Sequence, residues 1–212
     1  LKVAPMTRRI RVDPSGRLIA DPSKAGTLFG NRGCLHDDKG VVVKERTSLK
    51  RWIACTLKPI YGAKPLMQPG CYTELFFLDE PTALAAGHRP CAQCRPDAYK
   101  LFTTAWLRAG LSDVALAANI DKALDAERRN IEKPLVSPAS LPSGAMVRHP
   151  VDGTFHLVFE GQLFPWSFSG YGTPMPLKAA AGKYELMTPP SAVKVLEAGY
   201  PPGVHSSAKW SH

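Results

Sequence analysis

Apolar and polar positions alternate along this chain in stretches short enough to be read one element at a time. Residues 72–78 run YTELFFL, with only Thr73 and Glu74 interrupting the apolar and aromatic side chains, as in a largely buried strand. Asp79, Glu80 and Pro81 follow. Proline lacks the amide hydrogen that the first helical turn leaves unpaired, so these residues predict a helix start. Ala83, Leu84, Ala85 and Ala86 favour that helix, and Gly87 supplies the left-handed residue that ends one. Pro96 and Asp97 open a second helix, in which Leu101, Phe102, Ala105, Trp106 and Ala109 recur at helical spacing before Gly110. A third is expected over residues 114–129. Its polar face carries Asp121, Asp125, Glu127, Arg128 and Arg129, which reads as a solvated stripe.

Upstream, residues 41–43 begin a strand, and Trp52, Ile53, Ala54 and Cys55 form another after the basic segment 44–51. DPSGR and DPSKAG near the N-terminus are turns, consistent with a hairpin or a basic arm holding Arg8, Arg9 and Arg11. GNRGCLH, residues 30–36, reads as a loop, as does the Pro- and Gly-rich segment 58–70. The Pro/Ser-rich segment 134–144 is the linker candidate. Beyond it, residues 145–149 and 155–160 flank an Asp152-Gly153 turn as a hairpin. Residues 163–168 and 184–187 give two more strands, 169–182 a loop, and 191–198 a short helix ended by Gly199.

Composition narrows the class. The chain has 212 residues, 44% apolar and 21% charged, enough for one substantial globular domain or two small ones. No apolar run approaches the roughly 18 residues of a membrane span, and LKVAPMTRRI lacks the apolar core of a signal peptide. A cytoplasmic, nucleoid-associated protein is expected, with no membrane partner. The net charge is +9 and lies on one side: residues 1–111 hold 18 Lys and Arg against 9 Asp and Glu, while the remainder holds 9 of each. Such a one-sided excess points to a polyanion, here nucleic acid and in particular double-stranded DNA.

The same half contains HRPCAQCRP. Two cysteines separated by two residues in a tight turn can aim both sulfurs at one centre, half of a tetrahedral zinc site. The thioredoxin-like strand-to-helix setting of a redox CxxC is absent. Five cysteines, an odd number with two in CxxC, suit a reducing compartment better than a disulfide framework. Cys55, at a strand end, is the third ligand candidate after Cys91 and Cys94. The fourth is His36, Cys34 or Cys71; His36 is preferred because Asp37 and Asp38 stand beside it, and carboxylates can orient a ligating imidazole. A zinc ion gathering these segments would bring Arg32, Lys50, Arg51, Trp52, Arg89 and Arg95 onto one phosphate-binding face.

The stretch FFLDEPTALAAGHRPCAQCRP, residues 76–96, resembles the zinc-binding N-terminal domain of the bacterial Ada protein of alkylation repair. The likeness extends back to Cys55 and covers residues 55–96 only. In that family four cysteines bind zinc, and the first accepts a methyl group from a DNA phosphotriester. By position Cys55 matches the first, and Cys91 and Cys94 the last two. Pro59 stands where the second would be. The resemblance implies a zinc-centred, DNA-facing module.

The expected fold is therefore α+β: a basic zinc-centred strand/helix module with a helical extension over residues 1–133, then a small antiparallel sheet or partial barrel over 134–212. The aromatic stretch 164–171 suits core packing better than a base-stacking pocket. His149 and His205 read as structural or exposed rather than catalytic. The HxE partner of the zinc deaminases is missing, and an HNH-like nuclease could call only on His36 or His88. The functional expectation is a zinc-containing DNA-binding protein in repair or processing. The alternatives are a DNA-acting enzyme (a glycosylase, a nuclease or a methyl-accepting repair protein) and a zinc-stabilised interaction module.

Overall fold

The computed structural model describes residues 8–58, 65–130 and 132–209. The N-terminal turns do form a hairpin, β1 (Arg9–Val12) with β2 (Leu18–Ala20), and it belongs to a sheet rather than to a free arm. β3 (Leu28–Asn31), β4 (Ile53–Thr56), β5 (Leu75–Phe77) and the two-residue β6 (Arg89–Pro90) complete that sheet in the order β2-β1-β5-β3-β4-β6. β1 runs parallel to β5 and β4 parallel to β6; the other neighbours are antiparallel.

Side chains alternate across a strand, and this sheet uses both faces. Val12, Ala54, Leu75 and Phe77 pack with Leu18 and Leu35 against Ala83 and Ala86 of helix α1 (Glu80–Ala85) and its cap. The other face carries a lateral row set by register: Arg11 beside Phe76, Phe76 beside Phe29, Phe29 beside Cys55.

β3 is a strand the sequence did not disclose, because Gly30 sits in its middle and reads as a loop signal. The glycine is needed for close approach: a Cβ there would lie 2.0 Å from the Ile53 carbonyl oxygen and 3.1 Å from the Phe77 ring. Gly30→Ala must push β3 off β4, and a loss of about 1–3 kcal/mol is expected in urea denaturation. An unchanged midpoint would contradict that approach.

The helices are α2 (Pro96–Arg108), α3 (Ala117–Arg129) and α4 (Pro190–Glu197). The third starts three residues later than periodicity suggests. The second sheet contains β7 (Leu135–Val136), β8 (Met146–Arg148), β9 (Phe155–Phe159), β10 (Gln162–Ser167), β11 (Gly170–Tyr171) and β13 (Tyr184–Leu186) in the order β11-β10-β9-β8-β13-β7. β12 (Met175–Pro176) pairs with β10. The described strands do not close into a barrel. The class is α+β, with two sheets and four α-helices among the described residues.

The division at residue 134 does not separate two cores. Leu84, Phe102, Trp106, Ile120 and Leu124 from the first part pack with Ala145, Val195, Leu196 and Tyr200 from the second. Leu78 and Ala85 pack with Met146, Leu157, Phe164 and Tyr171. The presumed linker supplies β7, which pairs with β13.

Buried acids at the start of α1 tie the halves together. Asp79 caps the helix, accepting from the Thr82 amide and hydroxyl; its other oxygen accepts from Tyr171 Oη at 2.7 Å and the His205 amide at 3.0 Å. Burial raises its pKa, and these four donors oppose the rise. Glu80 accepts from Tyr200 Oη at 2.6 Å and the Gly203 amide at 2.9 Å.

Two local readings change. Only Leu75–Phe77 of the 72–78 run is ladder-paired, and Tyr72 is exposed. Of 41–43, Val42 alone makes a bridge, to His36. The segment 58–70 lies outside the described residues from 59 to 64.

Candidate metal centre

Strand register brings the cysteines together. In the parallel pairing of β4 with β6, Ile53 stands beside Arg89 and Ala54 beside Pro90, so the next residues in step are Cys55 and Cys91. The Cys91 amide donates to the Ala54 carbonyl at 3.0 Å, which extends the ladder to the cysteine itself. The chain then turns, and the Arg95 amide closes on the Cys91 carbonyl at 3.0 Å, swinging Cys94 back toward β4. The sulfurs of Cys55, Cys91 and Cys94 all lie within 4.8 Å of one another. Zinc–sulfur bonds of about 2.3 Å in a tetrahedron place sulfurs roughly 3.8 Å apart, so the trio fits such an ion.

Electrostatics agree with the geometry. The Cys91 thiol is drawn down to about 4, first by the Cys55 S–H donated to it and then by the amides of Cys94 and Gln93. Cys55 is pushed up because its proton is held by Cys91 and because it is buried. Cys94 is pushed up by burial. Three sulfurs this close cannot all carry charge without a cation among them.

The preferred fourth ligand is corrected. His36 lies outside the trio: its Nδ1 is 2.5 Å from Thr73 Oγ1 and its Nε2 is 3.2 Å from the Gln68 carbonyl. The loop from Gly33 folds back onto Thr73, which also accepts the Leu35 amide, instead of crossing to β4. Neither Cys34 nor Cys71 joins the group. Cys34 donates to the His36 carbonyl at 3.5 Å, and Cys71 is exposed. Pro59, matched to the family's second cysteine, lies outside the described residues. Tyr72, 44% exposed, has its phenol raised first by partial burial and then by the Glu74 carboxylate.

The expected basic face is redistributed. Arg89 is buried and bonds Asp121 with both forks, Nε to Oδ1 at 2.8 Å and Nη2 to Oδ2 at 2.9 Å. Asp121 is thus an internal partner and not part of a solvated stripe. Arg95 pairs with Glu80 at 2.8 Å, fastening the cysteine turn to α1. Arg32 is fully buried, and Trp52 lies under two guanidinium groups, Arg32 at 4.1 Å and Arg128 at 4.2 Å. Both reasons are the same: partners distant in sequence take these side chains inward. Lys50 and Arg51 alone of the six stand exposed. His88 is buried beside Phe77 and Trp52 and holds Arg32 Nε, away from the sulfurs. The aromatic stretch 164–171 packs as core, with Phe164 and Tyr171 buried and Trp166 Nε1 donating to Thr82.

No protein-family model, no curated protein and no solved structure matches this chain. Among the described residues no helix is long and apolar enough to cross a membrane.

Proposed function

We propose that this chain is a zinc protein that binds nucleic acid, double-stranded DNA being the expected partner, in repair or processing. The observation that carries the metal half is the trio of Cys55, Cys91 and Cys94 sulfurs within 4.8 Å. Zinc held there would neutralise the thiolates and pin β4 to the turn at residues 91–94. The nucleic-acid half is supported by the excess of cations in residues 1–111 and by exposed Lys44, Arg46, Lys50 and Arg51, which cluster just before β4. Arg46, Lys50 and Arg51 make no ion pair among the described residues.

The test is a mobility-shift titration on duplex DNA, beside zinc analysis of the same preparation. About one zinc per chain is expected, together with a complex whose log affinity falls linearly with log salt. Lys50→Glu/Arg51→Glu should weaken the complex at every salt concentration while the folded baseline holds. Absence of a shift at low salt removes the nucleic-acid half. Absence of zinc from protein with reduced thiols removes the metal half.

A further inference from the structure

On the far side of β4 from Cys55 lies a cavity of about 310 Å³. Trp52 and Ala54 alternate with Cys55, so they point to the α1 face, and Ala85 and Ala86 close the wall there. Five cations line the cavity, Arg17, Arg32, Arg46, Arg128 and Lys133, against the single carboxylate of Glu45. That carboxylate is already engaged, by Arg9 and by the Leu18 amide.

Two of the cations are held in an unusual state for arginine. Arg32 is 1% exposed, yet its guanidinium meets no carboxylate: Nη1 donates to the carbonyls of Gly16 and Glu45, Nε to His88, and Nη2 has no partner. Arg128 reaches the Gly87 and Lys50 carbonyls and, at 3.3 Å, Asp125; its Nε is buried without a partner. Burial depresses both groups, Arg32 to about 9 and Arg128 to about 10, and the charge of Arg128 adds to the lowering of Arg32. A buried, unpaired guanidinium is costly. Neutral aromatic stacking on Trp52 offsets only part of that cost. An oxyanion entering the cavity would meet a wall of five cations, two of which, Arg32 and Arg128, each keep a buried nitrogen without a partner among the described residues.

We propose that this cavity is a binding site for a phosphate group, the tetrahedral dianion of a phosphomonoester. Guanidinium groups bind phosphate with charge-assisted, directional hydrogen bonds. Donors arriving from the β1–β2 turn, the loop before β4 and the end of α3 surround a tetrahedral anion better than a planar one. The volume exceeds that of the phosphate, leaving room for part of the group that bears it. Trp52 is covered by the two arginines, so it offers no stacking platform for a base. The site stands whether or not the cysteines hold zinc.

Calorimetric titration of the 212-residue chain tests the proposal, with inorganic phosphate, adenosine 5′-monophosphate, adenosine and succinate as separate arms. Saturable one-to-one binding of phosphate and of the nucleotide is expected, with none for adenosine, and the melting temperature should rise with phosphate. Arg46→Glu, at the exposed rim, should raise the Kd for phosphate about tenfold with an unchanged melting temperature in phosphate-free buffer. Arg32→Met should abolish binding; if it fails to fold, Arg46→Glu still decides. A 5′-phosphorylated oligonucleotide against its 5′-hydroxyl twin separates the two sources: preference for the phosphorylated strand identifies a nucleic-acid end, equal binding a free metabolite. No heat at millimolar phosphate, equal binding of succinate, or indifference to Arg46→Glu would overturn the site. A failed mobility shift with intact phosphate binding would remove only the nucleic-acid half of the proposed function.

Discussion

Asp121→Ala is expected to destabilise the protein by about 3–5 kcal/mol, because it leaves the Arg89 guanidinium buried without its counter-charge. The pair is closed from solvent on both sides, with side-chain exposures of 3% and 9%. Arg89 spends its remaining donor on the Pro90 carbonyl at 3.1 Å and lies over the Tyr99 ring at 5.2 Å, and neither can replace a carboxylate. Arg89 also begins β6, two residues before Cys91, so its release should loosen the strand that sets the sulfur register. Urea denaturation measures the loss. Arg89→Met/Asp121→Leu should recover much of it, since an apolar pair of similar size removes both desolvation costs. A loss under about 1 kcal/mol for Asp121→Ala would mean that the pair behaves as a surface bridge.

This pair also shows where sequence reading reaches its limit. Arg89 and Asp121 look like surface charges from their residue types, and nothing local reveals that a turn and two helices return one to the other. The same holds for Asp79 and Glu80. Their role as the start of α1 is written in the neighbouring Pro81 and the alanines, and Asp79 does cap that helix. Their second role, anchoring Tyr171, Tyr200, Gly203 and His205, depends on partners 92 to 126 residues away. Short-range order was legible because it comes from backbone chemistry that recurs everywhere. Long-range pairing was not, because one sequence carries no record of which distant side chain arrives.

The sulfur trio falls between these cases. The CxxC turn is local and announces itself. Cys55 was reachable as a cysteine at a strand end; the parallel pairing of β4 with β6 that carries it to the turn was not. His36 misled for a comparable reason. Its neighbouring acids resemble the surroundings of a metal ligand, yet Asp37 instead caps its own turn, accepting the Lys39 and Val41 amides. Gly30 was read by its general preference for loops, whereas here the absence of a Cβ lets two strands meet.

Zinc binding to the metal-free protein at pH 7 is expected to release two protons, and its apparent affinity to rise about a hundredfold per pH unit near neutrality. Metal ligation needs three thiolates. Cys91, drawn down to about 4 by the Cys55 proton and the amides of Cys94 and Gln93, is already ionised at pH 7. Cys55 and Cys94 are raised above the usual thiol value and hold their protons there, so both protons must leave when the ion arrives. As pH falls, protons compete more strongly for those two sulfurs and zinc is released; as pH rises toward their titration, the dependence flattens. Each decade of affinity is about 1.4 kcal/mol, so one pH unit shifts the linked folding free energy by about 2.7 kcal/mol. Structural zinc contributes up to about 10–16 kcal/mol in small zinc-dependent peptides. This chain has an extended apolar core besides, so a chelator should lower the melting temperature without unfolding it outright. Competition with a chromophoric chelator across pH gives the slope, and calorimetry in two buffers of different ionisation heat gives the proton count. Cys91→Ser removes the one preformed thiolate and should bind zinc at least a hundredfold more weakly. A pH-independent affinity, or full zinc retention by that variant, would show that the metal is not held by these three sulfurs.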